Sequence, residues 1–256
     1  MDVYVKNDVF VAKDDDYVFD HTKIILRGPN DEYFYAIIYK RIPSSSKIDV
    51  SELDTTRIPT DHLWPLAIPQ FTRAPDPLPS TSFLKQPRLV DHEKSSGNLV
   101  FASLILAEVE ACEVLRTHPH PNIVQYLGCV VKDGRITGLG FAKHSLTLEQ
   151  LLEDGKPFDT ARCLLGIEAG VRHMHNLGLI HNDLNPSNIM MDGHHPVIID
   201  FDSCKREGDK LGVKAGTYGW SLLDQDYSRR ENDLYSLSKI REALSEAAKK
   251  CSIPQT

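Results

Sequence analysis

Two neighbouring stretches of this chain set polar side chains against short apolar runs. In the first, His181, Asn182 and Asp183 are followed by Asn185, Ser187 and Asn188, which lead into Ile189, Met190 and Met191. In the second, Pro196, Val197, Ile198 and Ile199 run into Asp200, Phe201 and Asp202. Each apolar run has the length of a buried strand. Asp192, Gly193, His194 and His195 between them have the composition of a tight turn. Asp183, Asn188 and Asp200 are therefore expected from one loop and two strand ends. Phosphoryl transfer needs a carboxylate facing the attacking hydroxyl and hard oxygen donors that hold magnesium against the phosphates. Asp183, Asn188 and Asp200 are candidates for these tasks, Asp183 as base or orienting carboxylate and Asn188 and Asp200 as metal ligands.

These motifs resemble the catalytic loop and the metal-binding Asp-Phe-Gly segment of the protein kinase family, and the likeness covers roughly residues 80–245. Residues 120–128, His-Pro-Asn-Ile-Val-Gln-Tyr-Leu-Gly, resemble the join between the small lobe's helix and its next strand. The resemblance implies a lysine on a strand before that helix, holding the ATP phosphates and paired with a helix glutamate. Lys85, after Ser82, Phe83 and Leu84, fits this role, with Lys40 and Lys94 as rivals. Counting back along the pattern puts the glutamate at Glu110, with Glu108 and Glu113 as alternatives. It also places the adenine hinge at residues 140–144, an activation segment up to residue 220, and a loop-anchoring aspartate at Asp233.

Periodicity supplies the supporting elements. Apolar positions 101, 104, 105, 109, 112 and 115 predict a helix over residues 99–116, stopped near Pro119. A hairpin is expected around Lys132, Asp133 and Gly134, and a short helix over residues 146–153. A longer helix capped by Asp159 or Thr160 carries Leu164, Ile167, Val171 and Met174 and closes at Gly178. A final helix buries Leu234, Leu237, Ile240 and Leu244. Near the start, residues 9–12, 23–26 and 33–39 read as strands, with a turn over residues 28–32. Residues 42–82 hold seven of the fifteen prolines and are expected to be extended and irregular, packed along a surface by Trp64, Leu66, Ile68 and Phe71.

Several positions depart from the family pattern. Only Gly28 stands where a glycine-rich loop would cover the phosphates, and Pro29 after it has no amide to offer. Asn182 replaces an arginine that docks regulatory phosphate, and Asn185 replaces a lysine near the γ-phosphate. Asp202 replaces a glycine, which is expected to stiffen the metal-binding segment. No Ala-Pro-Glu follows Trp220, and the chain stops twenty-three residues after Asp233.

The chain has 256 residues and a net charge of −7, which does not suggest a general nucleic-acid surface. Its start shows no signal peptide, and no stretch has the length of a membrane span. Five scattered cysteines predict reduced thiols in an intracellular, cytoplasmic protein. The expected fold is α+β: a bilobal kinase-like body with a β-rich N-lobe and a mainly helical, shortened C-lobe. Residues 1–82 would form a β-rich extension with a Pro-rich segment packing on or completing the N-lobe, 83–144 the N-lobe and hinge, and 145–256 the C-lobe. As a whole the pattern looks most like the compact kinase-like proteins of filamentous fungi. The resemblance implies ATP and Mg²⁺ as cofactors and transfer to a Ser or Thr hydroxyl of a protein or peptide. Two alternatives stand beside it, a pseudokinase scaffold and a small-molecule kinase of the choline or aminoglycoside type.

Overall fold

The computed structural model describes residues 1–13, 16–30, 32–43, 46–86, 89, 100–211, 216–222 and 225–251. The rival Lys94 and the predicted helix start at Leu99 lie outside these residues. The chain divides into two compact units, one made of Met1–Leu66 and Gln86–Ser103, the other of Ala67–Lys85 and Leu104–Thr256.

The first unit is built on an antiparallel sheet of β1 (Asp2–Lys13), β2 (Asp16–Arg27), β3 (Tyr33–Ile38) and β4 (Thr56–Ile58), paired in that order. The first two strands run well past the predicted ones because cross-strand pairing carries them through polar residues such as Asn7 and Asp8. Ile24, Ile25 and Leu26 of β2 are fully buried and anchor the core of this unit. The Pro-rich stretch is more regular than expected. It supplies β4, paired to β3, and a one-turn helix, α1 (Thr60–Leu63), entered from Pro59. Pro59 sits where a missing amide costs no helical hydrogen bond. Of the four apolar residues expected to pack, Trp64 is buried edge-on to Tyr33 at 6.0 Å. Leu66 and Ile68 are instead 63% and 44% exposed.

The second unit opens with β5 (Ser82–Lys85), to which β7 (Arg135–Ala142) pairs antiparallel, with β6 (Tyr126–Lys132) beyond it. The helix α2 (Val100–Thr117) reaches into this unit, where Val109 and Cys112 are fully buried. Next come β8 (Leu146–Thr147), α3 (Leu148–Asp154), α4 (Thr160–Asn176) and β9 (Leu179–Ile180). A reciprocal capping box starts α3: Gln150 N–H donates to Thr147 Oγ1 at 3.1 Å and Thr147 N–H to Gln150 Oε1 at 3.0 Å. Asp159 caps α4 by accepting from Arg162 N–H at 2.9 Å. The hairpin β10 (Ile189–Asp192) and β11 (His195–Ile198) follows, then β12 (Lys205–Arg206), which pairs with β9, and α5 (Arg230–Cys251).

Two glycines bring α4 against β11. A Cβ on Gly166 would lie 2.6 Å from Pro196 Cγ, and one on Gly170 would lie 2.9 Å from Ile198 Cδ1. Helix and hairpin therefore pack backbone to side chain, and the loop between them is fixed at both ends. Leu237, Ile240 and Leu244 of α5 are buried as expected, whereas Leu234 is 54% exposed. The fold is α+β, as the sequence predicts. No helix among the described residues is long and apolar enough to cross a membrane.

Candidate active site

The β10–β11 hairpin brings Asn188 and Asp200 to one end. Gly193 makes the tight turn with φ +59°, and Ile189 pairs with Ile198. The ladder continues as Ile199 N–H donates to the Asn188 carbonyl at 3.0 Å, so Asn188 precedes one strand where Asp200 follows the other. His181 Nε2 reaches the Ile199 carbonyl at 3.0 Å and joins the catalytic loop to that end.

The loop itself is held by neutral side chains. Asn185 caps the single 3₁₀ turn at residues 186–188, accepting from Ser187 N–H at 2.9 Å and Asn188 N–H at 3.2 Å. Its Nδ2 donates to Asp183 Oδ1 at 3.2 Å, and Asn188 Nδ2 donates to Asp183 Oδ2 at 3.2 Å and to its carbonyl at 2.9 Å. The predicted base thus has a neutral brace on each carboxylate oxygen. The sequence singled out Asn185 only for the cation it lacks; its structural role lies in this brace and cap. Thr217 adds a shorter contact, donating from Oγ1 to Asp183 Oδ1 at 2.7 Å. Sequence reasoning gave Thr217 no role, although it lies within the Ala215–Trp220 run that resembles an activation segment.

Behind the loop, Asp233 is fully buried at the start of α5. It accepts from His181 N–H at 3.0 Å, Asn182 N–H at 2.8 Å and His175 Nε2 at 2.8 Å. Asn182 takes φ +65°, a conformation that asparagine tolerates better than most residues. Its Nδ2 lies 3.1 Å from the Ser203 carbonyl and 3.0 Å from Ser228 Oγ, and its Oδ1 accepts from Asn232 Nδ2 at 3.0 Å. One buried amide therefore links the catalytic loop, the segment after Asp200, the chain before α5 and α5 itself. Beyond β12, Gly208 N–H donates to the Ser228 carbonyl and Ser228 N–H to the Asp209 carbonyl, both at 2.8 Å. The two ends of the segment are closed on each other.

The other half of the site is ionic. Lys85 Nζ lies 2.5 Å from Glu108 Oε1 and 2.6 Å from Asp200 Oδ1. Glu108, not Glu110, is the helix partner, and Glu110 is exposed. Residues two apart lie about 200° apart around a helix, so only one of them can face Lys85. The glutamate that meets Lys85 lies two residues before the position that the family pattern implies. Lys40, the other rival for the lysine role, belongs to the first unit.

Burial favours a neutral Lys85, but Glu108, Asp200 and Asp202 outweigh it and push the ammonium pKa up. Burial raises the Glu108 carboxyl above the usual carboxylate range against the pull of Lys85, and Asp200 adds to the rise. Asp200, also desolvated, is drawn below its ordinary value by Lys85.

Phe201 is buried, donates N–H to Glu108 Oε1 at 3.3 Å, and stands edge-on to His181 at 5.8 Å. The positive φ of this segment falls on Asp200, at +66°, and not on Asp202. Asp202 therefore meets no left-handed strain in this conformation.

Among the described residues no group of three His, Cys, Asp or Glu side chains is placed to hold a metal ion unaided. Asp200 supplies one carboxylate, and Asn188, with Nδ2 turned to Asp183, has its amide oxygen left to offer. So sparse a donor set suits magnesium, which keeps several waters and shares phosphate oxygens instead of filling an all-protein cage.

Comparison with known proteins matches residues 88–245 to the protein kinase domain. The chain belongs to the protein kinase family. A serine/threonine-protein kinase/endoribonuclease of Hypocrea jecorina is 30% identical over 132 residues, which are 42% of this chain and 10% of that protein. A leucine-rich repeat receptor-like protein kinase of Arabidopsis thaliana is 27% identical over 64% of this chain and 17% of its own length. The human dual specificity testis-specific protein kinase 1 is 34% identical over 34% of this chain and 14% of its own length. The matched stretches are thus minor parts of these kinases.

Proposed function

We propose that this kinase-family chain transfers the γ-phosphate of ATP to a Ser or Thr hydroxyl of a protein or peptide. The observation that carries the reading is Lys85 held between Glu108 and Asp200. That arrangement presents one cation toward phosphate while fixing the carboxylate that would share magnesium. Asp183, braced by Asn185, Asn188 and Thr217, orients the incoming hydroxyl and accepts its proton. Asn188 and Asp200 would hold the magnesium, which when bound neutralises charge on the phosphates. With Asn185 in place of a lysine, Lys85 is the cation this chain offers among the site residues named here, so slow turnover is expected. Lobes at residues 83–144 and 145–256 remain part of this reading.

Asp183→Asn tests it. The substitution keeps the side chain's size and one accepting oxygen but cannot accept a proton, and its NH2 end gives up the brace on that side. Phosphate transfer measured with labelled ATP is expected to fall by about a hundredfold or more, with Mg·ATP binding by calorimetry nearly unchanged. Undiminished transfer in the pure variant overturns the assignment.

Two observations favour a second reading, a nucleotide-poor scaffold. Gly28 N–H is already used by the Glu32 carbonyl at 2.7 Å, and in the expected hinge Lys143 N–H donates to the Thr81 carbonyl at 2.9 Å. Thermal shift with Mg·ATP beside labelled transfer separates the two: no shift and no transfer in the wild-type chain support the scaffold.

A further inference from the structure

Residues 67–81, the Pro-rich run before β5, form a strap along the sheet of the second unit. Ala67 N–H donates to the Gly134 carbonyl at the β6–β7 turn, and at the other end the Thr81 carbonyl accepts from Lys143 N–H, both at 2.9 Å. Midway the strap pairs with the outer edge of β6. Cys129 N–H donates to the Thr72 carbonyl at 2.7 Å and Ala74 N–H to the Cys129 carbonyl at 2.9 Å. Gly128, with φ +128°, makes room for it, since a Cβ there would lie 2.5 Å from Ala74 N and 2.6 Å from Arg73 C. Such close backbone approach is available only to glycine. The strap is thereby fixed to β6 independently of any side chain.

From this fixed track Thr72 reaches α2. Its N–H donates to Glu113 Oε1 at 2.6 Å and its Oγ1 to Glu113 Oε2 at 2.9 Å, so both carboxylate oxygens are taken by one residue. Arg116 Nε, one turn on and largely exposed, adds a contact at 2.9 Å. Glu113 is five residues after Glu108, on the same helix. A two-point contact to a carboxylate restricts rotation as well as position. The helix that carries Glu108 is therefore gripped near its C-terminal end by a segment anchored to β6.

We propose that Thr72 and Glu113 are positioning residues: a built-in clamp that sets α2 so that Glu108 meets Lys85. A helix clamped in this way needs no second protein to press it into place. The consequence for turnover rests on the phosphotransfer reading, but the effect on Lys85 does not.

The test uses the full chain without nucleotide. Lys85 is labelled with an amine-reactive ester and read by mass spectrometry, beside hydrogen exchange across residues 104–117. Glu113→Ala is expected to speed Lys85 labelling about tenfold, the worth of a charge-assisted hydrogen bond pair, and to speed exchange in α2. Thr72→Val gives a smaller rise, Thr72→Ser restores the wild-type rate, and Arg116→Ala changes neither readout. In a Glu108→Gln background Glu113→Ala adds nothing to Lys85 labelling, because its effect passes through Glu108. Unchanged labelling in Thr72→Val and Glu113→Ala overturns the clamp, as does an equal gain in the Glu108→Gln background. Thr72→Val leaves the backbone pairing in place, so it decides the matter should Glu113→Ala unfold. Labelling that follows this pattern in a chain that transfers no phosphate upholds the clamp and removes the phosphotransfer reading.

Discussion

The two halves of the site are held by different physics. Around Asp183 and Asn182, amides, hydroxyls, an imidazole and backbone N–H groups close on two carboxylates, and the buried one, Asp233, accepts from three donors. Around Lys85 two carboxylates share one ammonium, with Asp200 a third exposed and Glu108 almost sealed. Carboxylates enclosed in this way by neutral donors have little reason to change state, whereas two carboxylates around one ammonium respond to pH, salt and an arriving cation. The loop that presents Asp183, the proposed base, is built to stay still. The Lys85 triad, proposed to meet phosphate and metal, is built to be redistributed.

The largest effect is expected where the rigid half depends on one charge. Asp233→Ala leaves His181 N–H, Asn182 N–H and His175 without their acceptor inside the protein. Removing one partner of a buried charged network costs about 3–5 kcal/mol, and urea denaturation at pH 7 reads it directly. A loss below about 1 kcal/mol would mean that the Asn182 amide network holds the loop without it, which reverses the division drawn between the halves.

Lys85→Met breaks the ionic half and costs less, about 1–3 kcal/mol near neutral pH, because Glu108 can protonate. Its signature lies in the pH slope. Asp200 has a lowered folded pKa, so its contribution is present above the unfolded value of about 3.9 and is lost as pH falls through the folded value. Glu108 has a raised folded pKa, so its contribution is full below about 4.3 and fades as pH rises through the folded value. Removing Lys85 takes away the pull that lowers Asp200 and lets Glu108 rise further. The wild-type chain is therefore expected to weaken as pH drops below about 4, and the variant to lose that acid limb and to weaken more steeply than the wild type as pH rises above about 4.3. Parallel curves from denaturation at several pH values would show that the triad is not coupled as the distances imply.

What was legible in the sequence was local. Asp183, Asn188 and Asp200 fall within eighteen residues, on a loop and a hairpin whose turn and strands are plain in the sequence, so their spacing was enough to expect Asn188 and Asp200 at one end of that hairpin. Asp233 was legible through the resemblance of residues 231–237 to the family's loop-anchoring helix. The helix glutamate was not, since Glu108, Glu110 and Glu113 all satisfy the pattern approximately and only the helical phase set against Lys85 chooses among them. The strap was hidden for a related reason. Thr72 and Glu113 are 41 residues apart, and a proline-rich run gives no period from which its partner can be inferred. Thr217 was passed over because a lone hydroxyl in a loop has no signature until the loop closes on Asp183.

The smallest predicted effect probes the stiffness of the segment that joins the halves. Among the described residues Asn182 and Asp200 both take left-handed backbone conformations, one in each half, while Asp202 does not. Glycine at position 202 would thus relieve no strain in the folded chain. It would remove the acceptor that Ser203 Oγ reaches at 3.2 Å and give the unfolded chain more freedom. Asp202→Gly is therefore expected to lower stability by about 0.5–1 kcal/mol, seen as a modest fall in Tm. A rise in Tm would mean that the native backbone at residue 202 visits conformations only glycine accepts, and that the ionic half flexes at this hinge as well as exchanging its charges.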